Sequence, residues 1–201
     1  MSAVRTLTLA DAALPRAGAL QNAALIVGAS VVTALAAQLA FPVPWSPVPI
    51  TGQTFAVLLS GAVLGARRAF VAQALYLIEG VAGLPVFAGG AAGVGALIGP
   101  TAGYLSAFPL AAALVGALAE RGWDRRFATM VAAMLLGSGV ILVVGLAALS
   151  RFVPREHLPA AGLWPFVPGE LIKSALAALV FPRAWRWAQP QPDAPRSGPA
   201  A

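Results

Sequence analysis

The residues best suited to chemistry in this 201-residue chain are Glu170 and Lys173, which lie three positions apart in the segment PGELIKS. Pro168 fits the first turn of a helix, because the N–H that proline lacks would have no partner there. Glu170 would then lie in that turn, where the positive end of the helix dipole stabilises an anion. The dipole disfavours Lys173, so two interpretations stay open: an ion pair with Glu170 across one turn, or two polar groups that bind a solute.

The residue inventory excludes several kinds of catalytic centre. The sequence contains no cysteine and a single histidine, His157, which rules out thiolate sites, multi-histidine metal sites and cysteine nucleophiles. The phosphate-binding motif G-x-x-x-x-G-K-[ST] is missing too, because Ile172 stands where a glycine must precede the single lysine. We therefore expect no catalytic residue, no metal and no cofactor, in a protein that is not an enzyme.

The elements that must position this pair are predicted to be membrane helices. Hydrophobic residues make up 59% of the chain and charged residues 10%, whereas a soluble domain has about 25% charged residues. A helical crossing needs about 20 apolar residues, and apolar blocks span residues 20–41, 49–66, 69–88, 97–119, 127–150 and 163–182. The sequence thus predicts an all-α integral membrane protein with six transmembrane helices.

The flanking segments differ from these blocks in composition. A cytoplasmic N-terminal segment, residues 1–19, is predicted to precede the six-helix membrane domain, residues 20–187. The last segment, residues 188–201, is rich in proline and polar residues and is predicted to be a disordered tail.

The basic residues indicate the orientation of the membrane domain. Most arginines fall on one side of the predicted helices, namely Arg5, Arg16, Arg67, Arg68, Arg121, Arg125, Arg126, Arg183, Arg186 and Arg196. The opposite side carries Arg151 and Arg155. Because cytoplasmic loops carry the excess of Lys and Arg, both termini are predicted to be cytoplasmic. The net charge of +6 is spread over small clusters between apolar blocks, so no nucleic-acid surface is expected.

A glycine-rich loop lies on the side opposite the arginines. The segment PVFAGGAAGVGALIGPTAGY contains Gly89, Gly90 and Gly93, and glycine permits positive φ and close approach of the backbone to a ligand. A flexible exposed loop would explain the glycines but not the interleaved apolar residues, such as Phe87. Irregular backbone at membrane depth is tolerated where it is buried in protein or lines a cavity. We therefore expect ordered extracellular loops that cap a ligand pocket.

Further polar residues fall inside the predicted helices, where they are costly and usually face a cavity or a partner. Gln53 and Tyr104 are candidates for the pocket on this ground. Gln38 and Gln73 are interpreted as interhelical hydrogen-bonding residues.

Small residues recur at helical spacing in the first predicted helix. Ala24 and Gly28 form one ridge, and Ala29, Thr33 and Ala37 form another. Such ridges let a second helix approach closely. That helix belongs either to a partner protein or to this chain, and both interpretations stay open.

Four segments, taken together and in this order, resemble a known family. They are VPITGQTFAVLLSGAVLG (48–65), YLIEGVAGLPVFAGGAAG (76–93), GPTAGYLSAFPLAA (99–112) and PFVPGELIKSALAA (165–178). They are similar to the BioY family, whose members are the biotin-specific substrate-binding (S) components of energy-coupling-factor (ECF) transporters. The resemblance implies six helices in the lipid bilayer of the bacterial cytoplasmic membrane, with a biotin pocket near the outer surface. It also implies uptake powered by a transmembrane coupling protein and two ABC-type ATPases.

The resemblance implies roles for individual residues as well. Glu170 and Lys173 match the acid and the lysine that bind biotin, and Gln53 matches the glutamine that opens the second helix. The lid and wall of the pocket match Phe87, Gly89, Gly90, Gly93 and Tyr104. In S components the first helix commonly contacts the coupling protein, which implies partner-facing roles for Gly28, Ala29 and Thr33. A solitary biotin permease without ATPase partners is the alternative function, and a small membrane enzyme is a third.

Overall fold

The computed structural model describes residues 8–14 and 17–188, and most of them are helical. In chain order the elements are α1 (Leu9–Ala13), α2 (Ala19–Ala37), β1 (Ala40–Val43), β2 (Ser46–Thr51), α3 (Gln53–Leu64), α4 (Ala66–Val81), α5 (Ala102–Ser106), α6 (Phe108–Ala119), α7 (Phe127–Leu149), α8 (Leu158–Gly162) and α9 (Val167–Ala188). Short 3-10 turns lie at Ala88–Gly90, Val94–Leu97 and Trp123–Arg125. From residue 189 onward the predicted tail lies outside the described residues, as do Arg5, Arg16 and Arg196.

Four stretches of the described chain are long and apolar enough to cross a membrane: Ala19–Ala37, Ala102–Ala119, Phe127–Leu149 and Leu158–Ala188. The helices in the other two predicted blocks are shorter than expected. α3 has 12 residues and α4 has 16, whereas a crossing needs about 20. The fold is therefore that of a helical membrane protein, and the number of six crossings stays a prediction.

The prediction of an all-α fold is wrong at one place, a β-hairpin between α2 and α3. β1 and β2 are antiparallel, with Ala40 opposite Thr51 and Phe41 opposite Ile50. The cause is the prolines of FPVPWSPVPI, because proline lacks the N–H that a helix needs and favours an extended preceding residue. The Ser46 hydroxyl donates to the carbonyl oxygen of Ala161 at 2.6 Å, which ties the hairpin to α8.

Glycines allow the central helices to approach one another closely. α6 packs against α3, α4 and α7, and a Cβ on Gly61 or Gly116 would overlap backbone atoms of the neighbouring helix. At Gly116 these atoms belong to Gly65 and Ala66, at the junction of α3 and α4. Small residues at such contacts are typical of membrane helices, which associate through close packing. The junction of α3 and α4 is therefore held tightly against α6.

Replacing Gly116 with alanine should destabilise this packing, because the added methyl group must separate α6 from the start of α4. Overpacking of this kind costs about 1–3 kcal/mol. We expect a lower midpoint of thermal unfolding in detergent micelles. Gly139→Ala is the matched control, since open space surrounds that glycine in α7. Equal midpoints for the two variants would contradict the close contact at Gly116.

Polar contacts hold the start of α4 against α1 and the end of α6. The Glu120 carboxylate, just after α6, accepts a hydrogen bond from the Ala66 N–H at 2.9 Å. Arg68 forms an ion pair with Asp11 of α1 at 2.7 Å. Burial raises the pKa of Asp11, but hydrogen bonds from Arg68 and Thr8 outweigh burial and hold that pKa below its usual value. α1 also contacts α3 and α9. The start of α4, the end of α6 and helix α1 therefore lie together at one end of the bundle.

A second polar contact brings the end of α9 to the same region. The Trp185 indole N–H donates to the buried Asp124 carboxylate at 2.6 Å, and the Arg125 guanidinium carbon lies 4.4 Å from the centre of the Trp185 ring. Burial raises the pKa of Asp124, and the Trp185 hydrogen bond opposes that rise. The start of α4, the turn before α7 and the end of α9 thus share an end rich in arginine, which we call the arginine end.

Candidate functional site

A cavity of about 390 Å³ lies at the end of the bundle opposite the arginine end. Its walls come from β2, the loop 87–101, and parts of α3, α5, α6, α7 and α9. The larger apolar side chains that line it are Val48, Phe87, Tyr104, Leu105, Phe108, Ile141, Leu142 and Phe166. Polar residues of the lining are Thr51, Gln53, Thr54, Thr101, Ser138, Glu170 and Lys173. Ligand pockets usually enclose about 300–1,000 Å³, so this cavity suits one small molecule.

Glu170 and Lys173 form the charged part of the lining. α9 begins at Val167 with Pro168 and Glu170 in its first turn, which confirms the helix start predicted from the sequence. Lys173 Nζ lies 2.8 Å from Glu170 Oε1, in an ion pair across one turn. The Glu170 side chain is 7% exposed and that of Lys173 is 19% exposed. The ion-pair interpretation is therefore confirmed. Because the pair lines the cavity, binding of a solute by these two groups stays a prediction.

Two hydroxyl groups that were not predicted from the sequence complete this candidate site. Thr54 Oγ1 donates to Glu170 Oε1 and Ser138 Oγ donates to Glu170 Oε2, each at 2.6 Å. Lys173 Nζ donates to Thr54 Oγ1 at 2.8 Å and to the Thr51 carbonyl oxygen at 3.1 Å. Side chains from α3, α7 and α9 thus meet in what we call the polar cluster: Thr54, Ser138, Glu170 and Lys173. A signal for Ser138 did exist, since it is a hydroxyl at membrane depth in an otherwise apolar helix.

Gln53 lines the cavity, but its amide group is engaged with other side chains. Its Nε2 donates to the Tyr76 hydroxyl at 2.6 Å, and that hydroxyl donates to the Val86 carbonyl oxygen at 2.9 Å. The rings of Tyr76 and Phe87 meet edge to face, with centres 5.5 Å apart. Gln53 therefore also supports the apolar wall through Tyr76 and Phe87.

The three glycines predicted to contact a ligand determine the conformation of the loop. Gly89, Gly90 and Gly93 have φ of 66°, 75° and 86°, which glycine adopts without strain. None of them lines the cavity, whereas neighbouring residues of the loop do, namely Ala88, Ala91, Ala92, Gly95 and Ala96. The Gly93 N–H donates a hydrogen bond to the Gly80 carbonyl oxygen at 2.7 Å. These glycines thus form the turns of an ordered loop that holds Phe87 at the cavity, and their contact with a ligand stays a prediction.

Tyr104 contributes its ring to the cavity wall. Its hydroxyl points elsewhere and donates to the Gly162 carbonyl oxygen of α8 at 2.8 Å. The ring centre lies 5.9 Å from that of Phe166, and a Cβ on Gly145 of α7 would overlap the Tyr104 ring. Tyr104 thus provides an apolar surface, and its polar group joins α5 to α8.

The three residues of α2 predicted to face a partner do not share one face. Thr33 is fully buried, where it accepts from Gln73 Nε2 at 3.1 Å and donates to the Ala29 carbonyl oxygen at 3.0 Å. Gln73 also donates to Ser60 at 3.0 Å, so it joins α2, α3 and α4 as an interhelical hydrogen-bonding residue. Ala29 is half-buried against the core. Thr33 and Ala29 thus pack within this chain, and Gly28 is exposed with open space around it.

This arrangement suits binding of a small molecule that has apolar and hydrogen-bonding parts. The aromatic and aliphatic wall can cover an apolar ring system, while the polar cluster can fix one polar end. Across the described ranges, no group of three or more His, Cys, Asp or Glu side chains is placed to hold a metal ion.

Comparison with known proteins agrees with this architecture. A family model described as the BioY family matches residues 6–190. The biotin transporter BioY of Thermotoga maritima is 41% identical over 140 residues, which cover 69% of this chain and 81% of that protein. The probable biotin transporter BioY of Pyrococcus horikoshii is 36% identical over 151 residues, which cover 75% of this chain and 88% of that protein.

A solved structure has the same fold. It is the crystal structure at 2.1 Å of the S-component for biotin from an ECF-type ABC transporter. The match has a TM-score of 0.72 and 24% sequence identity, and covers 83% of this chain and 92% of the other. From the family match and the identity to these relatives, the chain belongs to the BioY family.

Proposed function

We propose that this chain binds biotin and acts in its transport across the membrane, as the S component of an ECF-type importer. The names of the two relatives support biotin as the substrate and transport, rather than catalysis, as the activity. The observation that carries the proposal is the cavity of about 390 Å³, with an apolar wall and the polar cluster at one side. Biotin has matching parts: a ureido ring with two N–H donors and a carbonyl acceptor, an apolar thiophane ring and an anionic valerate chain.

Charge favours one orientation of biotin in the cavity. Glu170 and Lys173 neutralise each other, because they form an ion pair at 2.8 Å. A valerate carboxylate placed there would be repelled by Glu170, whereas ureido N–H groups would donate to it. The ureido ring would therefore meet the polar cluster, and the valerate would lie away from Glu170.

Equilibrium binding to the detergent-purified protein tests this proposal. Isothermal titration calorimetry with biotin should give saturable binding with one molecule per chain. Dethiobiotin keeps the ureido ring and should compete, while pantothenate lacks it and should not. A folded protein that gives no saturable heat with biotin would refute the proposed function.

A transmembrane coupling protein and two ABC-type ATPases are the proposed partners. The similar solved structure supports them, since it is an S-component from an ECF-type ABC transporter. Gly28 is the remaining candidate for contact, because it lies on the exposed side of α2 among exposed apolar residues such as Val27 and Val31. Biotin uptake should then require all partners, and Gly28→Leu should lower uptake without lowering biotin affinity. If cells that lack the coupling protein and the ATPases take up biotin as fast as cells that have them, a solitary permease is favoured.

We also propose a multi-pass position in the bacterial cytoplasmic membrane, with six helices and with the arginine end and both termini cytoplasmic. The cysteine-free sequence allows a direct test by single introduced cysteines. A membrane-impermeant maleimide should label His157→Cys in intact cells, because this exposed residue precedes α8 beside the hairpin. Arg121→Cys, at the exposed arginine end, should react only after permeabilisation. The opposite labelling pattern would invert the proposed orientation.

Gly80→Ala should weaken biotin binding by displacing the cavity wall. A Cβ on Gly80 of α4 would overlap the ring of Phe87, which is 2% exposed and cannot shift without leaving its contact with Tyr76. Overpacking costs about 1–3 kcal/mol. If this cost is lost from the free energy of binding because Phe87 is displaced, biotin binds roughly five- to a hundredfold more weakly. Calorimetric titration with biotin measures the change. Gly28→Ala is the control, since open space surrounds the added methyl group, and it should bind biotin like the unsubstituted chain. If Gly80→Ala binds biotin as tightly as the unsubstituted chain, the role of Phe87 in the cavity wall is contradicted.

A further inference from the structure

Both carboxylate oxygens of Glu170 receive hydrogen bonds. Oε1 accepts from Thr54 Oγ1 at 2.6 Å and from Lys173 Nζ at 2.8 Å, while Oε2 accepts from Ser138 Oγ at 2.6 Å. A carboxylate oxygen offers two lone-pair sites, so Oε1 is saturated and Oε2 keeps one site. The remaining acceptor position of Glu170 therefore lies on the oxygen that Ser138 holds.

The donors of the polar cluster are all engaged within the protein. The Lys173 ammonium has three protons and three acceptors, namely Glu170 Oε1, Thr54 Oγ1 and the Thr51 carbonyl oxygen. The single protons of the Thr54 and Ser138 hydroxyls are both donated to Glu170. The cluster thus offers acceptors to the cavity: the second site of Glu170 Oε2 and the oxygen of Ser138 beside it. A ligand group that binds there must bring hydrogen-bond donors.

The position of Ser138 depends on the glycine before it. A Cβ on Gly137 would lie 2.5 Å from Leu58 of α3 and 2.6 Å from Val115 of α6, so this glycine lets α7 approach both helices. Helical serines commonly bond the carbonyl four residues earlier. Ser174 does so with the Glu170 carbonyl oxygen at 2.7 Å, but Ser138, 3% exposed, bonds a carboxylate of another helix.

We propose that Ser138 is a positioning residue that determines ligand specificity. By donating its proton to Glu170 Oε2, it fixes the carboxylate and sets two acceptor oxygens side by side at the cavity. Two neighbouring acceptors select a ligand with N–H donors and disfavour one whose nitrogen has been alkylated. This inference rests on the proposed function, in which the donors are the ureido N–H groups of biotin.

Substitution of Ser138 separates positioning from packing. Hydrogen bonds to charged groups contribute about 1.5–3 kcal/mol, so Ser138→Ala should weaken biotin binding by roughly ten- to a hundredfold in calorimetric titration. Ser138→Thr keeps the hydroxyl and should restore most of the affinity. Ser174→Ala is the matched control, because it removes a buried hydroxyl of α9 that bonds only a backbone carbonyl. Its affinity should stay within about threefold of the unsubstituted chain.

A second ligand gives a readout that a structural role alone would not change. The probes are biotin and biotin analogues methylated on one ureido nitrogen or the other. In the unsubstituted protein one analogue should bind far more weakly than biotin, and in Ser138→Ala this difference should shrink, because the lost N–H and the lost hydroxyl act on the same contact. The proposal is overturned if Ser138→Ala binds biotin normally, or if all ligands weaken by one factor and Ser138→Thr gives no rescue. No biotin binding by the unsubstituted chain would instead refute the proposed function, and this inference with it.

Discussion

Replacing Glu170 with glutamine is expected to lower the affinity for biotin by more than about a hundredfold. The substitution preserves size but leaves the Lys173 ammonium, which is 19% exposed, without its counter-charge. Breaking one side of a buried ion pair costs about 3–5 kcal/mol. The glutamine amide would also bring N–H donors to a position where the ligand must donate. Calorimetric titration of the purified variant with biotin measures the loss.

Glu156→Gln is the control for this experiment, because that glutamate side chain is 78% exposed and is not part of the cavity lining. It should bind biotin like the unsubstituted protein. The midpoint of thermal unfolding distinguishes lost recognition from lost fold. A folded Glu170→Gln variant with affinity within threefold of the unsubstituted chain would remove this carboxylate from the binding site.

Lys173→Ala should weaken biotin binding to a similar extent, although every proton of the ammonium is already engaged. The lysine is expected to act through Glu170 and Thr54, since it donates to both at 2.8 Å. Without it, the carboxylate loses its counter-charge and the Thr51 carbonyl oxygen loses a donor. Radiolabelled biotin binding to the purified variant at several protein concentrations gives the change in dissociation constant.

Two further variants make this second result interpretable. Lys173→Met keeps most of the apolar stem and removes only the charge, so it controls for lost packing. The double variant Glu170→Gln, Lys173→Met has no unpaired charge and should bind no more weakly than either single variant. Arg151→Ala removes an exposed cation from the same half of the chain and should have no effect. Strictly additive losses in the double variant would contradict the coupling between the two side chains.

The sequence allowed the charged part of the site to be predicted because its geometry is local. Pro168 fixes the start of α9, and Glu170 and Lys173 then share a face one turn apart. Thr54 and Ser138 were not identified, since they reach Glu170 from other helices. Which residues converge across three helices depends on packing at small residues such as Gly137, and the spacing within one helix contains no information about it.

The errors of fold have equally physical causes. The apolar block 49–66 resembles a membrane helix in hydropathy, but its first residues are extended because prolines alternate through the hairpin. In α2, small residues at helical spacing mark a surface that permits close approach, without indicating whose helix approaches. Thr33 proved to face Gln73 of this chain, whereas Gly28 lies on the outer side.

The bond from Lys173 to the Thr51 carbonyl oxygen has a mechanical consequence. Thr51 ends β2, so the charged pair is fastened to the hairpin that covers the cavity. A solute that draws the ammonium toward itself would also release the hairpin at this point. The turn of the hairpin carries Trp45, whose side chain is largely exposed. The protein therefore has an intrinsic fluorophore on the element that would move if the bond from Lys173 to Thr51 were broken.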